Sequence, residues 1–244
     1  MSRIVATIEA RMTSSRLPGK VLAEAEGRHM LELMIERLRF VPELDEIVVA
    51  TTSNPTDDGV EMLARRLGVG IWRGSEDDVL GRVLDAATAY NADVIVELTG
   101  DCPLLDPVLV SETIQYYRTA GVDYVSNGRK PGYPMGMGVQ VFGTAVLRDV
   151  AARTNDPVER EHVSLYIYRH PEIYSLSGID APQAYARPNM RLTLDTNEDL
   201  AVIRAVFAAL RPKRRDFSLS EIISFMDANP EIAAINAAVV QRHV

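Results

Sequence analysis

The fold is decided by four short runs of sequence: Ile4-Val5-Ala6-Thr7-Ile8, Ile47-Val48-Val49-Ala50-Thr51, Val69-Gly70-Ile71-Trp72 and Val94-Ile95-Val96-Glu97-Leu98. Each is short and rich in β-branched residues, as buried strands are. Mostly apolar residues then recur at i, i+3, i+4 and i+7, in the sets Leu31/Met34/Ile35/Leu38, Val60/Leu63/Ala64/Leu67, Leu80/Val83/Leu84/Ala87 and Val110/Thr113/Ile114/Tyr117. This spacing predicts one buried helix face per set. Up to about Ala120 the chain therefore predicts four strand–helix units, which right-handed crossovers join into a mostly parallel sheet flanked by helices, an α/β fold.

The second half of the chain is less regular. Weaker strands are predicted near Val122–Val125, Val139–Phe142, Tyr174–Ser177 and Arg191–Leu194, and helices near Val158–Arg169 and Glu198–Leu210. A final helix begins at Ser218, where Ser218 and Glu221 have the spacing of a capping box. Residues 129–136 are rich in turn formers and predict an active-site loop or a link to a small β appendage. We expect a single domain over residues 1–244, with the appendage in about residues 128–180.

Composition excludes several classes of protein. The chain has 244 residues, of which 47% are hydrophobic and 25% charged, values typical of a globular domain. A net charge of −8 argues against a nucleic-acid-binding protein, which needs a dense basic face. The single cysteine, Cys102, permits no intrachain disulfide. The sequence contains no run of about eighteen apolar residues, so it predicts no membrane span. We therefore expect a cytoplasmic protein without a membrane partner.

A cationic loop follows the first predicted strand. It reads Glu9-Ala10-Arg11-Met12-Thr13-Ser14-Ser15-Arg16-Leu17-Pro18-Gly19-Lys20. Ligands of open parallel sheets bind at the carboxyl ends of the strands, which is where this loop begins. Its two arginines, lysine and serines suit an anionic ligand with several acceptor oxygens. A solvated basic loop is the alternative, and the chain has neither a Walker loop nor the dinucleotide fingerprint Gly-x-Gly-x-x-Gly.

Two aspartates stand at the ends of other predicted strands. Asp101 follows the fourth strand after Gly100, which lets the backbone approach a ligand closely, and Asp195 ends the late run that starts at Arg191. Mg²⁺ usually takes one or two protein carboxylates and completes its shell with phosphate oxygens and water. Asp101 and Asp195 are therefore candidate magnesium ligands.

Helix capping competes with ligand binding for several polar residues. We prefer capping for Asp106, and Asp195 or Asn197 could cap the helix that follows them. Arg73-Gly74-Ser75-Glu76-Asp77-Asp78 closes the third strand and could hold an anion or a ribose, or Ser75 and Asp78 could form a capping box.

Two further residues have a reactive side chain. Cys102 has no histidine or basic partner nearby in sequence, so a buried small residue is a better interpretation than a nucleophile. His162, in Glu159-Arg160-Glu161-His162, either faces a substrate from a helix start or belongs to a solvated helix turn.

The loop from Glu9 to Leu22 resembles the signature of the cytidylyltransferases that make CMP-activated acid sugars, and in particular the branch named for spore coat polysaccharide biosynthesis protein F. The enzymes that activate acylneuraminate and Kdo are related. Six further stretches match in the same order: Ile47 to Thr52, Arg73 to Leu80, Thr99 to Leu104, Asp123 to Asn127, Glu159 to Val163 and Leu194 to Leu200. The resemblance thus spans nearly the whole chain.

The resemblance implies a GT-A-type, Rossmann-like nucleotide fold that is usually dimeric through a small extension. It implies that the triphosphate is held by Arg11, Ser15, Arg16 and Lys20, that the backbone of Ala10 helps to read the base, and that Asp101 and Asp195 bind Mg²⁺. It also implies a nucleotide pocket lined by residues 73–78, so that we expect the nucleotide to contact Arg73, Gly74, Ser75, Asp78, Thr99 and Gly100. Arg11, Lys20, Asp101 and Asp195 are then the expected catalytic residues.

The implied activity is transfer of CMP from CTP to an acidic sugar or a similar small acceptor, with release of pyrophosphate, in surface polysaccharide or glycoconjugate biosynthesis. We expect the acceptor to contact Asn127, Gln140, Arg160 and His162, and residues 128–180 to form an acceptor-side or dimerisation extension. The chain departs from the branch at Gly138 and Gln140, where carboxylates are usual, and Thr99 replaces the glutamine of the Kdo-activating enzymes. A glycosyltransferase and a catalytically silent sugar-nucleotide-binding module are the alternatives.

Overall fold

The computed structural model describes residues 2–130 and 132–241. Its strands are β1 (Ile4–Glu9), β2 (Glu24–Ala25), β3 (Arg28–His29), β4 (Glu46–Thr52), β5 (Gly70–Gly74), β6 (Val94–Thr99), β7 (Tyr124–Ser126), β8 (Gln140–Gly143) and β9 (Leu176–Gly178). Its α-helices are α1 (Met30–Leu38), α2 (Asp58–Leu67), α3 (Val79–Ala89), α4 (Pro107–Ala120), α5 (Thr144–Arg153), α6 (Pro157–Glu161), α7 (Leu165–Arg169), α8 (Asn197–Leu210), α9 (Leu219–Ala228) and α10 (Pro230–Ile235). The four predicted strand–helix units are confirmed.

Seven strands form one central sheet in the order β5-β4-β1-β6-β8-β7-β9. β1 pairs in parallel with β4 on one side and with β6 on the other, and β4 pairs in parallel with β5. β8 is antiparallel to both β6 and β7, and β7 is parallel to β9. The sheet is therefore mostly parallel, and the direction in which the chain adds strands reverses at β1. Such a switch point leaves a crevice at the carboxyl ends of β1 and β6.

Two hydrophobic cores cover the two faces of the sheet, as buried parallel strands require. Alternate residues of β1 divide between them: Ile4 and Ile8 pack in one core with α1 and α8, whereas Val5 packs in the other with α3. Because side chains alternate along a strand, Glu9 at the end of β1 lies on the α3 face. That face carries polar groups where the sheet meets the crevice.

Several expectations for the second half of the chain are corrected. The predicted strand at Arg191–Leu194 is wrong, because its backbone amides are divided between two segments: Leu192 donates to Met135 and Leu194 donates to Asp101. The predicted helix at Val158–Arg169 is interrupted between α6 and α7, where His162 leaves the helical conformation. The hairpin of β2 and β3, helix α5 and helix α10 were not predicted.

The predicted appendage is largely part of the central sheet. β8 pairs with β6, and β9 extends the sheet beyond β7, so both strands within residues 128–180 continue the main layer. Residues 132–139, which lead into β8, and residues 179–196, which lead from β9 to α8, are mostly irregular. In the described part of the chain, none of the helices combines the length and the apolar character that a bilayer crossing demands.

Candidate active site

A cavity of about 320 Å³ lies at the carboxyl ends of β1 and β6, at the switch point of the sheet. Its lining comes from the cationic loop, from the turn after β6, from α3, and from the segments around α6 and Asp195. The lining residues are Glu9, Ala10, Arg11, Ser14, Ser15, Arg16, Lys20, Val21, Val79, Arg82, Thr99, Gly100, Asp101, Glu161, His162 and Asp195. The structure thus brings together the cationic loop and both candidate metal ligands.

Lys20 joins the two aspartates. Its Nζ lies 2.9 Å from Oδ2 of Asp101 and 2.9 Å from Oδ1 of Asp195. Burial alone would lower the pKa of Lys20, but the charges and hydrogen bonds of both aspartates outweigh burial and raise it. Burial would likewise raise the pKa of Asp101, but Lys20 outweighs it and holds this pKa below its usual value. Asp101 and Asp195 are therefore close enough to neutralise one cation together.

This arrangement fits a magnesium ion. Two carboxylates converge on one cation, here the Lys20 ammonium, and hard oxygen donors in that number are what Mg²⁺ takes from proteins. Within residues 2–130 and 132–241 no group of three or more metal-ligating side chains is found, so substrate phosphates and water would supply the other ligands. The fit supports Asp101 and Asp195 as the magnesium ligands expected from the sequence.

Asp195 is held by two further cations. Arg16 Nη2 lies 2.7 Å from Asp195 Oδ1, and buried Arg191 places Nη2 2.6 Å from Asp195 Oδ2. Arg191 also contacts Asp199 through Nε at 2.8 Å, and Asp199 accepts from the backbone amide of Asp195 at 2.9 Å. Neither Arg191 nor Asp199 was a candidate from the sequence, although both stand within four residues of Asp195. The capping alternative for Asp195 and Asn197 is wrong, because Thr196 caps α8.

The cationic loop is fixed by backbone contacts. Gly19 has a φ of 75° and donates to the carbonyl of Met12 at 2.8 Å. Met12 in turn donates to Oδ1 of Asp57 at 2.8 Å, and Asp57, which is fully buried, also accepts from Thr51 and Thr52 at the end of β4. The loop is therefore tied to the neighbouring strand before any ligand binds.

A glycine is required at position 100 by a close contact within the protein and not by contact with a ligand. A Cβ at this position would lie 2.8 Å from the backbone oxygen of Glu9, and the Gly100 amide donates to that oxygen at 2.8 Å. The expected close approach is thus between the turn after β6 and the end of β1. It brings Asp101 next to the cationic loop.

The expected nucleotide residues around α3 are placed differently. Arg73 contacts Asp58 and Glu61 of α2 at 2.6 and 2.7 Å, and it does not line the cavity. Gly74, Ser75 and Asp78 also lie outside the lining. Asp78 is itself the N-cap of α3 and accepts from Gly81, so the predicted capping box of Ser75 and Asp78 is wrong, although the Asp78 amide donates to Ser75 Oγ at 3.1 Å. The cavity wall is formed instead by Val79 and Arg82, one helical turn apart.

Of the four expected acceptor residues, one lines the cavity. His162 does so at the break between α6 and α7. Arg160 is paired with Asp78 at 2.5 Å, and Asn127 is buried, where it binds the backbone of Met137 and Val139. Gln140 accepts hydrogen bonds from Tyr124 and Ser164. These three side chains are therefore engaged within the protein and do not line the cavity.

The remaining sequence hypotheses concern Asp106 and Cys102. Asp106 caps α4 by accepting from Val108, as predicted. Cys102 is buried, and burial raises the pKa of its thiol far above the usual value. A thiol that stays protonated is a poor nucleophile, which confirms the interpretation as a buried small residue.

The sheet, its switch point and the carboxylates beside a cationic loop define a nucleotide-binding protein of the Rossmann-like class. The chain belongs to the cytidylyltransferase family, whose model matches residues 5–223. Spore coat polysaccharide biosynthesis protein SpsF of Bacillus subtilis is 35% identical over 96% of this chain and 98% of its own length.

Solved structures show the same fold. A cytidylyltransferase from Leptospira borgpetersenii serovar Hardjo-bovis has a TM-score of 0.90 and 31% identity, with all of both chains covered. A CMP:2-keto-3-deoxy-manno-octonic acid synthetase, solved as a complex with CTP, has a TM-score of 0.65 over 85% of this chain and 99% of its own. At 20% identity that second likeness concerns the fold alone.

Proposed function

We propose that the chain transfers CMP from CTP to an acidic sugar or a similar small acceptor and releases pyrophosphate, as a step in surface polysaccharide or glycoconjugate biosynthesis. The observation that carries this proposal is the convergence of Lys20, Asp101 and Asp195 beside a loop that supplies Arg11 and Arg16. The cationic side chains complement the negative charge of a triphosphate, and the two aspartates complement a divalent cation. Membership of the cytidylyltransferase family and the likeness to SpsF support CTP as the donor.

Each part of the cavity has its task in this reaction. Arg11 and Arg16, with the hydroxyls of Ser14 and Ser15, bind phosphate oxygens through forked guanidinium and hydroxyl donors. The acceptor oxygen attacks the α-phosphorus in line, and pyrophosphate leaves on the opposite side. Positioning and charge neutralisation supply most of the rate, because this transfer needs little covalent work from a protein.

Asp101 and Asp195 would hold Mg²⁺. A magnesium ion at that place supplies Lewis acidity and charge neutralisation at the phosphates. Lys20 neutralises both carboxylates in this structure, and with Mg²⁺ bound there its ammonium would be available to the leaving pyrophosphate. Lys20 and Arg16 then stabilise the product anion.

A pyrophosphate-release screen tests the proposal. The wild-type protein is incubated with Mg²⁺ and each of the four nucleoside triphosphates, in turn with acid sugars, sugar phosphates and phosphonates as acceptors. We expect release from CTP with an acid sugar, and loss of that release by at least about a hundredfold in Asp101→Asn, because a metal ligand's charge is removed with little change in volume. Asp227→Asn, which changes a half-exposed surface partner of Arg187, is the matched control and keeps its activity.

Normal release from Asp101→Asn would contradict the proposed role of this carboxylate. Binding of CTP without turnover across all acceptors would favour the silent binding module, and sugar transfer from a nucleotide sugar would favour the glycosyltransferase. The homodimer and the cytoplasmic location expected from the sequence stay predictions, and sedimentation of the purified protein tests the first.

A further inference from the structure

Asp195 lies in an irregular part of the backbone, so its orientation depends on side chains. Residues 192–196 form bends and irregular chain before α8 begins. The amide of Asp195 donates to Oδ2 of the Asp199 side chain at 2.9 Å, where a strand residue would donate to a carbonyl. The other candidate metal ligand, Asp101, comes directly after Gly100, whose amide donates to the end of β1 at 2.8 Å. Of the two carboxylates, Asp195 therefore needs more support from elsewhere in the fold.

The guanidinium of Arg191 divides its donors among three partners. Nε donates to Asp199 Oδ1 at 2.8 Å, and Nη2 donates to Asp195 Oδ2 at 2.6 Å. Nη1 donates to Oε1 of Gln241. Because a guanidinium is planar and rigid, three contacts in different directions fix its position. Oδ2 of Asp195 is thereby held by Arg191, and Oδ1 is the oxygen that faces the cavity, where Lys20 binds it.

Asn236 supports the same segment from the end of α10. It follows that helix, which packs against α8 and α9, and its side chain is buried. Its Nδ2 donates to Asp199 Oδ1 at 2.9 Å and to the carbonyl of Arg191 at 3.0 Å. One amide thus binds both ends of the segment 191–199. Asp199 is fully buried, so loss of this contact would leave a carboxylate oxygen with one donor fewer and no access to water.

Asn236 and Gln241 lie outside the part of the chain in which the family is recognised. Both follow residues 5–223, which the family model matches, and neither is among the residues that line the cavity. Their contacts go to Asp199 and Arg191, and the contacts of those two residues go to Asp195. The alternative is that Asn236 and Gln241 only stabilise the packing of α10 on α8.

We propose that Asn236 and Gln241 are positioning residues that determine how tightly the active site binds Mg²⁺. They hold Asp199 and Arg191 so that Asp195 presents Oδ1 to the cavity without rearrangement. This inference rests on the proposed function and on Asp195 as a metal ligand. Removal of a group that orients a metal ligand typically costs about 10–100-fold in metal affinity or activity. Asn236 and Gln241 act one contact further from the metal, so we expect effects at or below the lower end of this range.

Binding of Mn²⁺ tests the proposal without turnover, because Mn²⁺ takes the same oxygen ligands as Mg²⁺ and the free ion is measured by EPR. Mn²⁺ is titrated into protein that is in excess over CTP, with no acceptor present. We expect the dissociation constant to rise at least about threefold in Gln241→Leu and about tenfold in Asn236→Leu, which removes two hydrogen bonds. Gln115→Leu, which changes an exposed partner of Glu43, is the matched control and keeps the wild-type constant.

The Mg²⁺ dependence of pyrophosphate release separates positioning from stability. In Gln241→Leu we expect the Mg²⁺ concentration for half-maximal release to rise at least about threefold, while kcat at saturating Mg²⁺ stays within about twofold of the wild type. A merely structural role would lower the amount of folded enzyme, and hence kcat, without changing the Mg²⁺ dependence. Gln241→Glu keeps an acceptor oxygen for Nη1 of Arg191, so it should restore the wild-type Mg²⁺ dependence.

The outcomes distinguish this inference from the proposed function. Unchanged Mn²⁺ affinity in Gln241→Leu, beside a wild type that binds Mn²⁺ with CTP, would overturn the positioning role and leave cytidylyl transfer intact. A lower kcat with an unchanged Mg²⁺ dependence would assign the two residues to stability alone and equally refute the proposal. A wild type that neither binds Mn²⁺ with CTP nor releases pyrophosphate would overturn both. Because Gln241 is half-buried, its variants keep the test decisive even if Asn236→Leu does not fold.

Discussion

Replacement of Lys20 by methionine measures how much the Lys20 ammonium contributes to the free energy of unfolding through its ion pairs with Asp101 and Asp195. Lys20 Nζ makes two contacts of 2.9 Å, and its side chain is 12% exposed. Loss of one member of a buried ion pair costs about 3–5 kcal/mol, because a charge is left uncompensated. Here the cavity is open on one side, and Arg16 and Arg191 still neutralise Asp195. We therefore expect Lys20→Met to lower the free energy of unfolding by about 2–3 kcal/mol.

Urea denaturation at neutral pH measures this loss, and in a domain of this size it corresponds to a fall in Tm of roughly 4–12 °C. Lys130→Met is a matched control, because Lys130 lies 2.9 Å from Asp180 but is 73% exposed. Exposed pairs contribute less than about 1 kcal/mol, so this variant should remain close to the wild type. Equal stability of the two variants would refute the view that Lys20 is the buried counter-ion of the site.

Two further predictions concern the arginines around the cavity. Arg191→Met leaves Asp195 and Asp199 buried without their shared cation, so we expect a loss of about 3–5 kcal/mol in the free energy of unfolding by urea denaturation; a loss below about 1 kcal/mol would contradict this. Burial would raise the pKa of Asp78, but the hydrogen bonds of Arg160 outweigh it and lower this pKa. The stabilisation is fully present above the ordinary aspartate pKa of about 4 and is lost as the pH falls through the lower pKa of Asp78 in the folded protein. The difference in free energy of unfolding between wild type and Arg160→Met should therefore become smaller between about pH 6 and pH 2. A difference that stays constant over this range would contradict the prediction.

The fold of the first half could be predicted because local pattern and global topology agree there. Each of the runs beginning at Ile4, Ile47, Val69 and Val94 is followed by a single amphipathic helix, and right-handed crossovers leave few ways to arrange such units. In the second half of the chain, local sequence pattern does not indicate the topology in this way. Its strands have three or four residues and depend on pairing with β6 and β7, which no local pattern announces.

The candidate site could be predicted where it depends on strand ends. The carboxyl ends of β1 and β6 meet in a parallel pair, so the cationic loop after β1 and Asp101 after β6 could be expected at the same edge of the sheet. Glu9, which lines the cavity, was missed, because a glutamate near the end of a strand has the same pattern as a solvated residue. Arg73 was expected at the nucleotide because its position follows a strand, but Asp58 and Glu61 lie three residues apart on α2 and capture its guanidinium.

The bond from Met12 to Asp57 has a consequence for how such a protein can diversify. The cationic loop is already attached to the end of β4 in the free protein, so binding of the nucleotide requires little further ordering of this loop. The part of the lining around Glu161 and His162 comes instead from an interrupted helix. Substitutions in that part of the lining can change which acceptor is used, while the cationic loop that binds the nucleotide stays the same.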